Sequence, residues 1–231
     1  MNNADTESLP ETNGAEGTQR KLDDETLAGL GKLTLDELTT AIKAGNTQQA
    51  LALAAAMHDE LKGMHDLFLL WIASLLSYIG NHTGDAGVEE AMRAMMQTQY
   101  PDSVPDSDAK AFEELTDRER VEQIAAATRG HARAFTVEEK EDSYDLLIAQ
   151  CGSGGQLIQR GVYEGPDALY TMQSASTITY GRENFTPYCT HCYLNGEFCP
   201  KGKDEQPIVE IIPASEPGNG TCVCRIYKQD V

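Results

Sequence analysis

The chain has 231 residues, 40% of them apolar, which allows one large domain or two parts sharing a core. Its formal net charge is −19, from 37 acidic against 18 basic side chains. A surface of that sign lacks the cations that displace phosphate counterions or hold an anionic bilayer, so neither nucleic acid nor a membrane is expected as a partner.

Residues 1–20 are polar, with no basic segment followed by an apolar one, so no export signal is read there and a cytoplasmic location is expected. The same stretch holds almost no large apolar residue and is expected to be a disordered acidic tail. Thr34-Leu35-Asp36-Glu37 fits a capping box, opening a helix that ends near Gly45. A long helix is expected from about Thr47 to Ile79, with His58, Leu61, His65, Phe68, Ile72, Leu75 and Ile79 on one face. Its run from Leu67 to Ile79, interrupted by Ser74 and Ser77, is too short to span a bilayer and reads as a buried helix. Gly80 supplies a stop, Asn81 to Gly84 a loop, and a further helix covers about Ala86 to Gln99 with Val88, Ala91, Met92 and Met95 as its stripe. Pro101 and Pro105 break the chain before another helix, about Asp108 to Thr128.

After Gly130 the periodicity changes to alternation. Strands are expected around Tyr144 to Ile148, Pro207 to Pro213 and Thr221 to Lys228, with Gly-, Pro- and Cys-rich loops between them. The fold class is therefore α+β: an N-terminal helical bundle packed on a C-terminal antiparallel β-sheet with Cys-rich loops. The expected division is 1–20 tail, 21–130 helical part and 131–231 β-rich part.

All six cysteines lie after position 150, and without an export signal they are expected as thiols or metal thiolates. Cys189-Thr190-His191-Cys192 is the densest chemical feature. A Cys-x-x-Cys turn brings two sulfurs within reach of one metal ion, and His191 adds a third donor. Cys222 and Cys224 point to one face of the last strand. The second half is Cys-x-Cys, so this is no standard zinc ribbon, and Tyr193 stands where a c-type haem site needs His. The motif is expected in a loop, after Pro187 and Tyr188, which disfavours a redox dithiol activated at a helix N-terminus. Buried free thiols, a structural zinc and a functional zinc remain alternatives.

Cys151-Gly152-Ser153-Gly154-Gly155 follows the first strand. The glycines permit close approach of a ligand, and Cys151 reads as a nucleophile beside an oxyanion site, a metal ligand, or a buried thiol in a tight turn. No helix pattern follows it. His58 and His65 are seven apart, about 10 Å along a helix, and cannot share one zinc. His65, on the apolar face beside Asp66, is the better candidate for a general base or ligand, against the alternative of a core histidine bonded to a carbonyl.

Met64-His65-Asp66-Leu67, the Cys151 to Gly155 turn, Tyr188-Cys189-Thr190-His191-Cys192, Cys222 and Ile226-Tyr227-Lys228 form an ordered set over roughly residues 50 to 228. That set resembles a group of small bacterial proteins and is loosely similar to the L-2-amino-thiazoline-4-carboxylate hydrolase group, which opens a cyclic C=N bond with water. The resemblance implies hydrolytic, ring-opening chemistry on a small molecule and carries over no individual residue.

The resulting expectation is a zinc-dependent hydrolase of a small heterocyclic or amide-like C–N bond, with iron as the second metal such ligands accept. Cys189, His191, Cys192 and Cys222 form the ligand pool, three holding the metal and water taking the fourth place. His65 or Asp66 moves the proton, and the Cys151 turn holds an oxyanion or a substrate carboxylate. A metal-free variant has Cys151 as nucleophile with a histidine as base. The rivals are a structural zinc module that binds a ligand or partner, and a thiol redox or metal-sensing protein. A homo-oligomer is allowed, with the Met92 to Met96 helix as a candidate interface.

Overall fold

The computed structural model describes residues 22–99, 112–131, 134–202, 205–216, 218 and 220–229. The expected tail at 1–20 and the start of the helix expected from Asp108 lie outside them. By internal contact the chain forms two units, Met1–Glu60 and Leu61–Val231.

In the first unit, α1 (Asp24–Leu30) is capped by Asp23, whose carboxylate accepts the Thr26 amide at 2.7 Å. Helix α2 (Thr34–Lys43) ends as expected, with Gly45 at φ 71°. Its start is different: Leu33 occupies the N-cap position without a side-chain bond. Thr34 is the first helical residue, and its hydroxyl donates to the Glu60 carboxylate at 2.7 and 2.9 Å instead of closing a capping box. The capping box of this chain is at Thr116 and Glu119.

Helix α3 (Thr47–Gln99) corrects three expectations. It does not stop at Gly80, and His82 lies within it rather than in a loop. Gly80 is helical, and the Tyr170 ring packs against it so closely that a Cβ there would meet Tyr170 Cδ1 at 2.2 Å. The break falls at Gly84, whose φ of 71° suits a residue without a side chain. The buried face is also different from the one periodicity suggests. Leu61, Phe68, Ile72 and Leu75 are exposed, Leu75 to 64%, while Leu69, Ala73, Leu76 and Ser77 are buried. A helix that is apolar nearly all round gives periodicity little to choose between, and the covering segments decide. The run Leu67 to Ile79 is thus only half covered. By length and composition α3 meets the requirements of a membrane-crossing helix, as core helices of water-soluble proteins also do.

In the second unit, α4 (Asp117–Arg129), β1 (Thr136–Glu139), β2 (Ser143–Ile148), α5 (Gly154–Gln159), α6 (Thr190–Phe198), β3 (Val209–Ile212) and β4 (Cys222–Tyr227) follow. The strands form one antiparallel sheet in the order β1-β2-β4-β3. The fold is α+β, with the helices mainly N-terminal and the sheet C-terminal. The helices that cover the sheet are α4 and α6. Ala125, Val121 and Ile124 of α4 pack on Leu146, Cys224 and Ile226, and α6 lies along β3. The second half of α3 joins a different cluster, in which Leu76, Val88, Met92 and Met96 meet Met172, Ile178, Phe185 and Leu194. Met92 and Met96, read as a candidate interface, are buried in that core. Leu69 and Ala73 pack on Leu157 of α5.

Candidate functional site

Two expectations about local structure around the cysteines are overturned. The glycine turn is followed by a helix, α5, and Cys189 stands at the N-cap position of α6 rather than in a loop. Both helices are short and contain glycine, so neither shows an apolar period. Between β2 and α5 the chain turns at Cys151-Gly152-Ser153, and Gly154 lets α5 approach α6: a Cβ at Gly154 would meet Cys189 Sγ at 2.2 Å.

This arrangement gathers the candidate residues. A cavity of about 50 Å³ is lined by Cys151, Cys189, His191, Cys192, Cys222 and Arg182, among others. A larger one of about 230 Å³ is lined by Cys151, His191, Cys192, Cys222, Ser153 and His131. Cys151, His191, Cys192 and Cys222 belong to both walls, whereas Cys189 faces the smaller cavity alone. Cys199 and Cys224 border the larger one. All six thiols are free. The four groups of the expected ligand pool thus meet, although among the described residues no three Cys, His, Asp or Glu side chains stand as a metal-holding group.

The donors are individually prepared. His191 Nδ1 lies 2.5 Å from the Tyr188 carbonyl oxygen and donates to it. Burial holds the imidazole below its usual proton affinity, so the neutral ring presents Nε2 as an acceptor toward the Cys192 thiol. That Nε2 is 3.6 Å from Cys192 Sγ. Cys222 Sγ accepts the Ala214 amide at 3.4 Å, and Cys151 Sγ accepts the Ser153 amide at 3.4 Å. Burial pushes the Cys189, Cys192 and Cys222 thiols up, Cys192 to about 12. A buried thiol that is hard to ionise is a poor free nucleophile, and a neighbouring cation reverses that.

His65 and Asp66 are near but not in either cavity wall. His65 Nδ1 is 3.2 Å from Asp66 Oδ1. Burial alone would raise the Asp66 proton affinity; hydrogen bonds from Lys62, Gln156 and His65 outweigh it and hold the carboxyl well below its ordinary range. Arg160 adds a further contact to Asp66 at 2.7 Å. The link inward is His131, whose ring meets that of His65 edge-on at 5.8 Å. His131 Nδ1 in turn lies 2.7 Å from Ser153 Oγ. Desolvation, then the nearby His191 and His65, lower the His131 proton affinity.

Ser153, His131 and Arg182 were not among the residues singled out from sequence. Ser153 sat inside the glycine turn without a visible partner, because His131 is 22 positions earlier. Arg182, anchored on the Ala214 carbonyl at 2.8 Å, supplies the smaller cavity with a cation. His58 and His82 are exposed, and the His82 ring bonds to the Tyr78 carbonyl of its own helix. Comparisons with protein-family models, with curated proteins and with solved structures gave no match.

Proposed function

We propose that the second unit is a zinc-dependent hydrolase of a small heterocyclic or amide-like substrate, with His191, Cys192 and Cys222 as ligands and water in the fourth place. The observation that carries this reading is the separation of His191 Nε2 from Cys192 Sγ, 3.6 Å. Zinc bonds of about 2.3 Å to sulfur and about 2.05 Å to nitrogen, opened to a tetrahedral angle, place the two donors about 3.6 Å apart. The Nδ1 bond to a backbone carbonyl is the support that fixes a metal-binding imidazole in the required tautomer. Cys222, at the start of β4, would be the third ligand because it lines both cavities with His191 and Cys192, whereas Cys189 lines the smaller cavity alone.

Held by these residues, zinc would supply Lewis-acid activation of water at the wall of the larger cavity. Arg182 suits a substrate carboxylate, and the His65–Asp66 pair, through His131, suits delivery of the released proton to solvent. The loose similarity to the thiazoline-carboxylate hydrolase group belongs to the same proposal, as do iron as an alternative metal, a small-molecule substrate and a cytoplasmic setting.

Elemental analysis of protein purified without chelator tests the reading. About one zinc per chain is expected, falling below about a tenth in a Cys192→Ser/Cys222→Ser double variant that remains folded. Metal-free wild-type protein, or a double variant that keeps its zinc, would sink it. Ring opening of small cyclic amides and imines, followed by proton NMR, then tests the chemistry, and the His191→Ala variant should lose it together with the metal.

A further inference from the structure

The Ser153 hydroxyl has an unusual set of partners for its place in the chain. It occupies the position where a serine ordinarily caps a helix, yet it makes no cap bond to α5. Its oxygen is instead 2.7 Å from His131 Nδ1, with the Tyr188 phenol as a second hydrogen-bond partner. The residue is 2% exposed and borders the 230 Å³ cavity, whose wall also carries His131, so the pair faces a space large enough for a small molecule. It lies on a strand-to-helix turn, β2 to α5, between Gly152 and Gly154. Cys151, two residues earlier, has no hydrogen bond to an imidazole among the described residues; its sulfur accepts the Ser153 amide.

We propose that Ser153 is a nucleophile activated by His131, acting on small carboxylic esters and activated amides that enter the larger cavity. Ser153 Oγ bonds to the acyl carbon while its proton passes to His131. The bond to the leaving oxygen or nitrogen breaks, and that group departs with the proton from His131. Water, deprotonated by the same imidazole, then cleaves the acyl ester and restores the hydroxyl. His65, packed edge-on against His131 and held by Asp66, is a positioning residue for the base. This centre stands apart from the zinc reading. The two share a cavity and His131, but the serine step needs no metal.

A fluorophosphonate probe tests it without knowledge of the substrate, because Oγ–P bond formation with loss of fluoride needs only the activated serine. Full-length wild-type protein should gain one phosphonyl mass, mapped to Ser153 by peptide sequencing. Ser153→Ala should take none. His131→Gln, checked for a wild-type circular dichroism spectrum, should label on the order of 100-fold more slowly, the scale of a lost general base. Chelated protein should label as wild type, so that failure of the zinc reading leaves this result standing. Absence of label on folded wild-type protein, label on a different residue, an unchanged rate in His131→Gln, or loss of label on chelation would each overturn the proposal.

Discussion

A single methyl group at Gly154 would meet Cys189 Sγ at 2.2 Å, closer than any real contact. Gly154→Ala must therefore separate α5 from α6 or turn the thiol out of its place. An overpacked buried site of this kind costs about 1–3 kcal/mol, and thermal unfolding should show the corresponding fall in midpoint. Gly63→Ala, in open space on an α3 turn, should instead hold or slightly raise the midpoint, since a helical glycine is disfavoured by roughly 1 kcal/mol. A second residue-scale outcome concerns acid. Asp145 is buried on β2 and accepts both Arg225 bonds at 2.8 Å, and these hold its carboxyl below the ordinary range against the opposing effect of burial. Its folded-state proton affinity is depressed, so its contribution is present above the unfolded value of about 3.9 and is lost as pH falls through the folded value. Asp145→Asn should cost about 2 kcal/mol at pH 7, less than a fully buried pair because Arg225 is partly exposed. The gap between wild type and variant should narrow below about pH 4, and urea midpoints at pH 7 and pH 3.5 measure it.

At the scale of elements, α3 separates what periodicity says from what packing decides. Leu75 belongs to the face that the sequence pattern picks out, yet it is 64% exposed, whereas Leu69 is 2% exposed against α5 and the segment around Leu169. Leu69→Ala should cost about 3 kcal/mol and Leu75→Ala less than about 0.5 kcal/mol; the reverse order in chemical denaturation would contradict the observed face. The strands read more faithfully: β2, β3 and β4 fall within the segments expected from alternation, because each has one face on the α4 cluster. Asp145 is the exception on β2, a carboxylate buried because Arg225 lies opposite it in register. Strand β1, with four exposed residues, and the short helices α5 and α6 left no readable pattern.

For the whole molecule, three buried clusters hold the second unit without any contribution from a metal: α3 with α6 and the Met172 to Phe185 segment, α4 with the sheet, and α3 with α5. The chelated protein should consequently stay folded, with an unchanged far-ultraviolet circular dichroism spectrum and a lower melting temperature, because a ligand bound only by the native state adds to its stability. Unfolding on chelation would instead assign the zinc a structural role. The charge of −19 leads to the further outcome that duplex DNA should give no shifted complex even at low salt.

The sequence by itself determined the α+β division, three of the four strands and the chemical types of the site, since alternation, glycine turns and the crowding of thiols after position 150 are local properties of the chain. It also singled out Cys189, His191, Cys192, Cys222 and Cys151, which the fold brings to the wall of one cavity, all but Cys189 lining the second as well. Only the tertiary structure decided which face of α3 is covered, that His191 Nε2 stands beside Cys192 Sγ, and that His131 rather than His65 meets the glycine turn at Ser153. The physical reason is the same in each case. A face is buried, a tautomer chosen and a hydroxyl paired by groups that arrive from distant segments, and their directions are fixed by packing that no local pattern encodes.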